Sequence, residues 1–153
     1  MIAGVVGGSG FITSSSGLGA DLSLLTSVAA VALMTTGVVL VRRQHYDAHR
    51  LVQTCAVVLN AVPVLSWMIV SLARYILPGV PGSLSQHGHL LAAVHAAVGA
   101  AGVALGVFLV ARGNQLAARG KSLAPCRTTM RAAYLVYLAG VLLGIALYVV
   151  TYG

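Results

Sequence analysis

Five histidines are the side chains in this sequence best suited to bind a metal ion or carry a proton. His45 and His49 are four residues apart, so they lie on one face of any helix that contains both. That spacing can chelate a metal ion or hold an anionic lipid headgroup, and it also arises in interfacial segments beside arginine. Because neither cysteine nor glutamate accompanies the pair, His45 and His49 are only a candidate metal site.

The other three histidines flank or enter a long apolar run. His87 and His89 precede the run, and His95 lies about five helical residues inside it, a depth of roughly 8 Å. An ionisable group at such a depth in lipid is a functional candidate by default. His95 is therefore the first candidate for binding a cofactor, and His49 and Asn60 are the others.

Four apolar runs must position these side chains. The chain of 153 residues is 59% hydrophobic and 7% charged, whereas soluble domains carry about one quarter charged residues. A hydrocarbon core about 30 Å thick needs about 20 apolar helical residues. Runs of that length without Lys, Arg, Asp or Glu occupy residues 22–41, 51–72, 90–111 and 132–152. The sequence therefore predicts an all-α integral membrane four-helix bundle.

The predicted domain organisation follows from these runs. Residues 1–20 are expected to form a flexible, Gly/Ser-rich tail on the non-cytoplasmic side, and residues 21–153 the transmembrane domain. Its helices are predicted at about residues 22–41, 50–76, 88–112 and 129–152. No soluble domain is expected.

Basic residues are concentrated in two of the connections between runs. The formal charge is +7, from nine Lys or Arg against two acids, and in a soluble protein this excess would suggest nucleic acid. Eight of the nine cations lie in the first and third connections or at their edges, and only Arg74 lies elsewhere. The positive-inside rule then places both connections in the cytoplasm and both termini outside it. We expect a multi-pass protein of the inner (plasma) membrane that does not bind nucleic acid.

The cations of these two connections are also candidates for contact with a partner protein or with anionic lipid. The candidate contact residues are Arg42, Arg43, Arg50, Arg119, Lys121 and Arg127.

Depth decides whether the histidines can share a cofactor. At about 1.5 Å per helical residue, His95 lies near the level of Ser66 and Trp67, while His49 stays near the cytoplasmic surface, roughly 25 Å away. A bis-histidine haem needs two facing histidines at one depth, so His49 and His95 cannot hold the same haem. Two interpretations of His95 remain. It ligates haem b, alone or with a histidine of the outer loop, or it is a hydrogen-bonded histidine in the core of the bundle.

Helix two contains an asparagine and a proline three residues apart. Pro63 has no N–H, so it frees the carbonyl of Leu59 and is expected to kink the helix. Asn60 is interpreted as a polar contact between helices, with a ligand-facing donor as the alternative.

Glycines recur four positions apart in the last two runs, at Gly102, Gly106, Gly140 and Gly144. Small residues let membrane helices approach closely. The preferred interpretation is packing inside the bundle, with a dimer interface or a cofactor groove as alternatives.

The sequence contains few side chains that could act as catalytic groups. The two acids are Asp21, expected outside the membrane, and Asp47, expected to form a local ion pair among Arg43, His45 and Arg50. No HExxH motif, phosphate-binding loop or dinucleotide fingerprint occurs in the sequence. We therefore do not predict an enzyme.

Three stretches of the sequence, VRRQHYDAHRLVQTCAVVLNAVP, HAAVGAAGVALGVFLV and CRTTMRAAYLVYLAGVLLGIALYVVTYG, resemble a small bacterial four-helix membrane family typified by CtaM and YozB. The resemblance is carried by Arg43, His49, Arg50, Asn60, Pro63, His95, Arg127, Thr129 and Met130. It implies a role in the maturation of haem-copper terminal oxidases, through the handling of haem or copper.

The function expected from these features is that of a small membrane assembly or accessory factor for a respiratory complex such as a haem-copper terminal oxidase. One alternative is an electron-transfer subunit that binds haem b or quinone. This alternative is suggested by His95, Ser66, Trp67 and Tyr75. The other is a structural subunit of a larger respiratory or photosynthetic complex. The expected partners are therefore the lipid bilayer and a larger membrane complex.

Overall fold

The computed structural model describes residues 10–12, 16–76, 87–122 and 124–152, and nearly all of them are helical. Four long helices occur in these ranges: α1 at Leu18–Arg42, α2 from Tyr46–Pro63 onward, α3 at His87–Ala118 and α4 at Arg127–Tyr152. Each is long and apolar enough to cross a membrane. For the described residues, the prediction of an all-α fold with four helices long and apolar enough to span a membrane is thereby confirmed.

Each helix extends beyond the ends expected from the apolar runs. α1 begins at Leu18 instead of residue 22, α2 begins at Tyr46 instead of residue 50, and α3 continues through Ala118. α4 begins at Arg127, after a short 3-10 turn at Ala124–Cys126. The residues added to α3, at 113–118, include Gln115, Ala117 and Ala118, which are good helix formers. The backbone therefore continues its hydrogen bonding where hydropathy alone places a boundary.

α2 changes its hydrogen-bonding pattern directly after Pro63. The helix continues as a π-helix at Val64–Met68, returns briefly to α geometry at Ile69–Ser71, and is again a π-helix at Leu72–Ile76. Proline cannot donate the i→i−4 bond, and π-bulges are one way to accommodate the missing donor. The irregularity expected at Pro63 therefore takes the form of a wider helical turn.

The first and third connections are tight turns of the same type. Gln44 and Gly120 both have left-handed backbone conformations, with φ of 63° and 62°. The next amide in each turn reaches back five residues: His45 N donates to Leu40 O at 3.0 Å, and Lys121 N donates to Leu116 O at 2.9 Å. These are Schellman motifs, which end α1 and α3 and reverse the chain.

The four helices form an antiparallel bundle in which each helix has two neighbours. α1 packs against α2 and α4, and α3 packs against α4 and α2. A hydrogen bond between Arg50 and Asn114 joins the start of α2 to the end of α3. Both tight turns therefore lie at one end of the bundle, formed by residues 42–50 and 112–131, which we call the basic end.

The core of the bundle is thin and combines two alanines with two large side chains. Its buried members are Ala30, Met34, Ala56 and Tyr137. Only 6% of the most apolar stretch of α3 is buried, so few of its side chains are fully enclosed by the bundle. An outward apolar surface is what a helix surrounded by lipid requires.

Candidate functional site

Polar side chains join α1 to α2 near the basic end. His49 is buried, and its Nδ1 donates to the backbone carbonyl of Gly37 at 2.8 Å. One turn further along α2, Gln53 Nε2 donates to the carbonyl of Met34 at 3.2 Å. A Cβ atom on Gly37 would collide with the Gln53 side chain. The glycine therefore allows α2 to approach the α1 backbone closely enough for both hydrogen bonds.

The predicted metal-binding face is used for this helix contact. His49 and Gln53 both point at the α1 backbone, whereas His45 is exposed at the N-cap of α2. Within the described residues, no group of three His, Cys, Asp or Glu side chains is arranged to hold a metal ion. His49 therefore packs against α1, whereas His45 is exposed.

His95 joins α3 to α4 in the same way. Its Nδ1 donates to the backbone carbonyl of Gly140 at 3.0 Å, and the side chain is half-buried. A Cβ atom on Gly144 would lie 2.9 Å from Cε1 of His95, so the imidazole ring occupies the space that the glycine leaves. This contact is a hydrogen-bonded histidine between two membrane helices.

The carbonyl partner also determines which ring nitrogen carries the proton when the imidazole is neutral. A carbonyl oxygen only accepts hydrogen bonds, so Nδ1 carries the proton in both His49 and His95. The lone pair is then on Nε2. Histidines that ligate metals have this arrangement, with one nitrogen donating to a carbonyl and the other facing the metal.

The two histidines lie near opposite ends of the bundle. His49 is next to Arg50, which hydrogen-bonds Asn114 at 3.0 Å near the end of α3. His95 is 19 residues earlier in α3 than Asn114, which is about 28 Å along the helix axis. The structure therefore does not bring His49 and His95 to a common ligand.

The other predicted cofactor contacts are not assembled around His95. Asn60 is half-buried and has no hydrogen-bond partner among the residues that the structure describes. The hydroxyl of Ser66 donates to the carbonyl of Val62 in its own helix at 2.6 Å. The side chains of Trp67 and Tyr75, and the predicted outer-loop ligands His87 and His89, lie outside the described side chains.

Four glycines of α3 and α4 face other helices. Cβ atoms at these positions would meet neighbouring groups within 4 Å: Tyr137 at Gly102, Val57 at Gly106, Val98 at Gly140 and His95 at Gly144. The expected internal packing is therefore what the structure shows for these four positions. Gly99 is different, because a Cβ atom there would meet nothing within 4 Å.

Asp21 is a buried polar residue that sequence analysis missed. It was expected as an external acid, yet it is fully buried in the first turn of α1. Its carboxylate accepts hydrogen bonds from the backbone amides of Phe11 at 2.6 Å and Ile12 at 2.9 Å, and from the Tyr148 hydroxyl at 2.5 Å. Part of the predicted tail is thus held against the bundle, while residues 1–9 and 13–15 lie outside the described residues.

Two hydroxyls of α4 complete the contacts between helices. Tyr134 lies 3.1 Å from the Thr35 hydroxyl and, with the Asp21–Tyr148 bond, joins α4 to α1. The Tyr137 hydroxyl is buried in the core and has no hydrogen-bond partner within the described part of the chain. Every pair of neighbouring helices therefore carries at least one polar contact.

Charged side chains at the basic end are mostly exposed. Arg50 is the exception, because its Nη2 donates to Asn114 Oδ1 at 3.0 Å and its Nη1 lies 3.6 Å from Asp47 Oδ1. The predicted ion pair of Asp47 is thus with Arg50. The exposed candidate contact residues are Arg42, Arg43, Arg119, Lys121 and Arg127.

No family model matches this chain, and neither a curated protein nor a solved structure matches it. The function is therefore inferred from the chain's own residues and from the helix surfaces that they leave exposed.

Proposed function

We propose that this protein is a small assembly or accessory factor for a respiratory membrane complex such as a haem-copper terminal oxidase. The observation that carries the proposal is a face of α3 that is formed by small side chains. Four of its alanines are exposed at i, i+3, i+4 and i+7 spacing, which is one helix face: Ala97, Ala100, Ala101 and Ala104. Small residues in lipid permit close approach of another helix, so this face suits a helix of a larger complex.

The arrangement of the other unusual residues supports an accessory role over catalysis. His49, Arg50 and His95 carry the resemblance to the oxidase-maturation family, and each forms a hydrogen bond from one helix to the next. They support the bundle that presents the α3 face. The resemblance itself supports the oxidase as partner.

The proposal includes a location and an orientation. The protein lies in the inner (plasma) membrane, with the basic end in the cytoplasm and both termini outside. Eight of nine cations at one end support this orientation through the positive-inside rule. In a cysteine-free background, Asp47→Cys and Lys121→Cys should react with an impermeant thiol reagent only when the cytoplasmic side is accessible. Labelling of the two positions from opposite sides would contradict the four-pass orientation.

Deletion of the gene tests the assembly role directly. Membranes of the deletion strain should have lower oxidase activity and lower oxidase-bound haem, and a plasmid copy should restore both. An oxidase with unchanged activity and haem content would remove the assembly proposal.

The α3 face can be tested separately with a matched pair of variants. Ala101→Phe adds a bulky side chain to the alanine face, whereas Leu142→Phe makes a similar apolar change on α4, where Leu142 is 59% exposed. We expect Ala101→Phe to reduce co-purification of the respiratory complex in mild detergent and to fail to complement the deletion. Leu142→Phe should behave as the unmodified protein, and equal behaviour of both variants would contradict a partner at this face.

A second candidate function is electron transfer by a haem b bound through His95. The specific observation in its favour is the ring orientation, since Nδ1 donates to Gly140 O and leaves Nε2 as the ligand nitrogen. The fit is incomplete, because His95 lines neither the cavity formed by Asp47, Arg50, Leu51, Thr54 and Asn114 nor the cavity formed by Leu33, Thr54, Cys55, Val58, Leu59 and Val62. When bound, haem would supply one-electron chemistry, and His95 would hold and orient it.

Absorbance distinguishes the two candidates. The difference spectrum of the dithionite-reduced and oxidised protein should show a b-type α band if haem is bound, and its absence would reject haem. His95→Asn keeps a donor near the position of Nδ1 but removes Nε2. A folded variant without the band would assign the ligand, whereas a variant that retains the band would exclude His95.

A further inference from the structure

A polar depression lies between α2 and α3 at the basic end. Its volume is about 340 Å³, and its lining residues are Asp47, Arg50, Leu51, Thr54 and Asn114. Arg50 is the central group, held by Asn114 on one side and by Asp47 on the other. The depression therefore presents a cation held by Asn114 beside an exposed carboxylate.

Arg50 retains hydrogen-bonding capacity in this arrangement. A guanidinium has five N–H donors, and among the described groups Arg50 donates one hydrogen bond, to Asn114. The Asp47 contact is longer, at 3.6 Å, and the Asp47 side chain is fully exposed. A planar guanidinium with donors to spare is well suited to a phosphate group. The exposed carboxylate beside it is suited to a primary ammonium group.

An apolar groove lies next to this depression on α2, on the side toward α1. It has a volume of about 440 Å³ and is lined by Leu33, Thr54, Cys55, Val58, Leu59 and Val62. Thr54 lines both cavities, so the two are adjacent on the surface of α2. A ligand that fills both must therefore have a polar head and an apolar tail.

The depression and the groove together span about one leaflet of the membrane. Arg50 and Val62 are 12 residues apart, which is about 18 Å along α2. Half of a hydrocarbon core about 30 Å thick is about 15 Å. An acyl chain attached to a headgroup at Arg50 would thus reach the middle of the bilayer.

We propose that this surface binds one phospholipid whose headgroup carries a primary amine, as in phosphatidylethanolamine. The phosphate contacts Arg50, the ammonium group contacts Asp47, and one acyl chain lies in the groove from Thr54 to Val62. This binding site is additional to the proposed accessory function and does not depend on a partner complex.

Competition among lipids tests the headgroup assignment. The purified protein in detergent is mixed with equal amounts of phosphatidylethanolamine, phosphatidylcholine and phosphatidylglycerol that have matched acyl chains. Bound lipid is then counted by native mass spectrometry. At about 0.15 M salt, attraction beyond about 8 Å is screened, so the diffuse charge of the basic end contributes little. We expect phosphatidylethanolamine to be retained over phosphatidylcholine, which has no N–H donor, by about two- to fivefold, the range of an exposed ion pair.

Two substitutions separate the roles of the charges. Arg50→Gln should reduce retention of phosphatidylethanolamine about tenfold, because a charged hydrogen-bond donor to phosphate is lost. Asp47→Asn should abolish the preference over phosphatidylcholine. The matched control is Arg43→Gln, which removes an exposed cation of the basic end that does not line the depression. An equal loss in the Arg43→Gln control would overturn the site in favour of a diffuse field.

Other outcomes also decide against the proposal. Preferential retention of phosphatidylglycerol, or stronger phosphatidylethanolamine binding in Asp47→Asn, would overturn the headgroup assignment. Val58→Trp fills the groove and should lower retention of phosphatidylethanolamine, whereas Leu142→Trp on α4 should not. Unchanged retention in Val58→Trp would overturn the acyl-chain groove.

Discussion

The contact between His95 and Gly144 gives a sharp test of how α3 and α4 pack. A Cβ atom at position 144 would lie 2.9 Å from Cε1 of His95, so Gly144→Ala must displace the imidazole. Gly99→Ala is the matched control, since a Cβ atom there meets nothing within 4 Å. Both changes remove a helical glycine and gain about 1 kcal/mol of helix propensity. The difference between the variants therefore isolates the crowding of His95.

The size of that difference can be estimated from two contributions. Crowding costs about 1 kcal/mol, the low end of the range for overpacking, because the ring can rotate away. Rotation gives up the 3.0 Å bond to Gly140, and such bonds in membranes contribute about 0.6 kcal/mol on average. We expect Gly144→Ala to be less stable than Gly99→Ala by about 2 kcal/mol.

Reversible unfolding in mixed micelles of a denaturing and a mild detergent, followed by far-UV circular dichroism, measures these stabilities. A double-mutant cycle with His95→Ala provides the internal control. Without the imidazole there is nothing for the new methyl group to displace, so Gly144→Ala should then stabilise the protein as Gly99→Ala does. Equal effects of the two single variants, or a Gly144→Ala penalty that persists without the imidazole, would refute the packing described for His95.

Three further predictions concern other polar contacts. Tyr148→Phe removes a donor to the buried Asp21, and it should increase proteolysis of the chain before α1, as measured by N-terminal fragment mapping. Pro63→Ala restores an N–H group, so hydrogen exchange should become slower across the adjacent π-helical turn. His49→Leu should lower the unfolding free energy by about 0.6 to 1.7 kcal/mol through loss of its bond to α1, whereas the exposed His45→Leu should leave it unchanged.

Much of the fold could be predicted from the sequence because lipid restricts the choice of structure. Four runs of about 20 residues without charge can only become helices when their backbone polar groups must pair internally. The helix ends were less predictable. Hydropathy does not detect the left-handed conformation of Gln44, although Gly120 at the equivalent turn is a recognisable helix-ending residue.

The polar contacts were harder to predict than the helices. The depth of His95 followed from counting residues, but its partner is a backbone carbonyl, which every residue has and no sequence pattern marks. Asp21 was missed for the same reason, since two of its donors are the amides of Phe11 and Ile12. The sequence did contain one indication of this contact, because four antiparallel helices place the Tyr148 hydroxyl at the same end of the bundle as Asp21.

The two helical hairpins share one kind of hydrogen bond, between a histidine and a backbone carbonyl, and this bond limits which histidine nitrogen is free to bind a ligand. In each hairpin a histidine Nδ1 donates to the carbonyl of a glycine on the adjacent helix: His49 to Gly37, and His95 to Gly140. Packing requires only this nitrogen, since a single donor satisfies the contact. Support of the bundle therefore does not occupy Nε2, and a structural role and a ligand role are compatible in one ring. His49 is buried next to α1, whereas the His95 ring is only partly covered, so access to the second nitrogen favours His95 as the residue that meets a ligand or a partner.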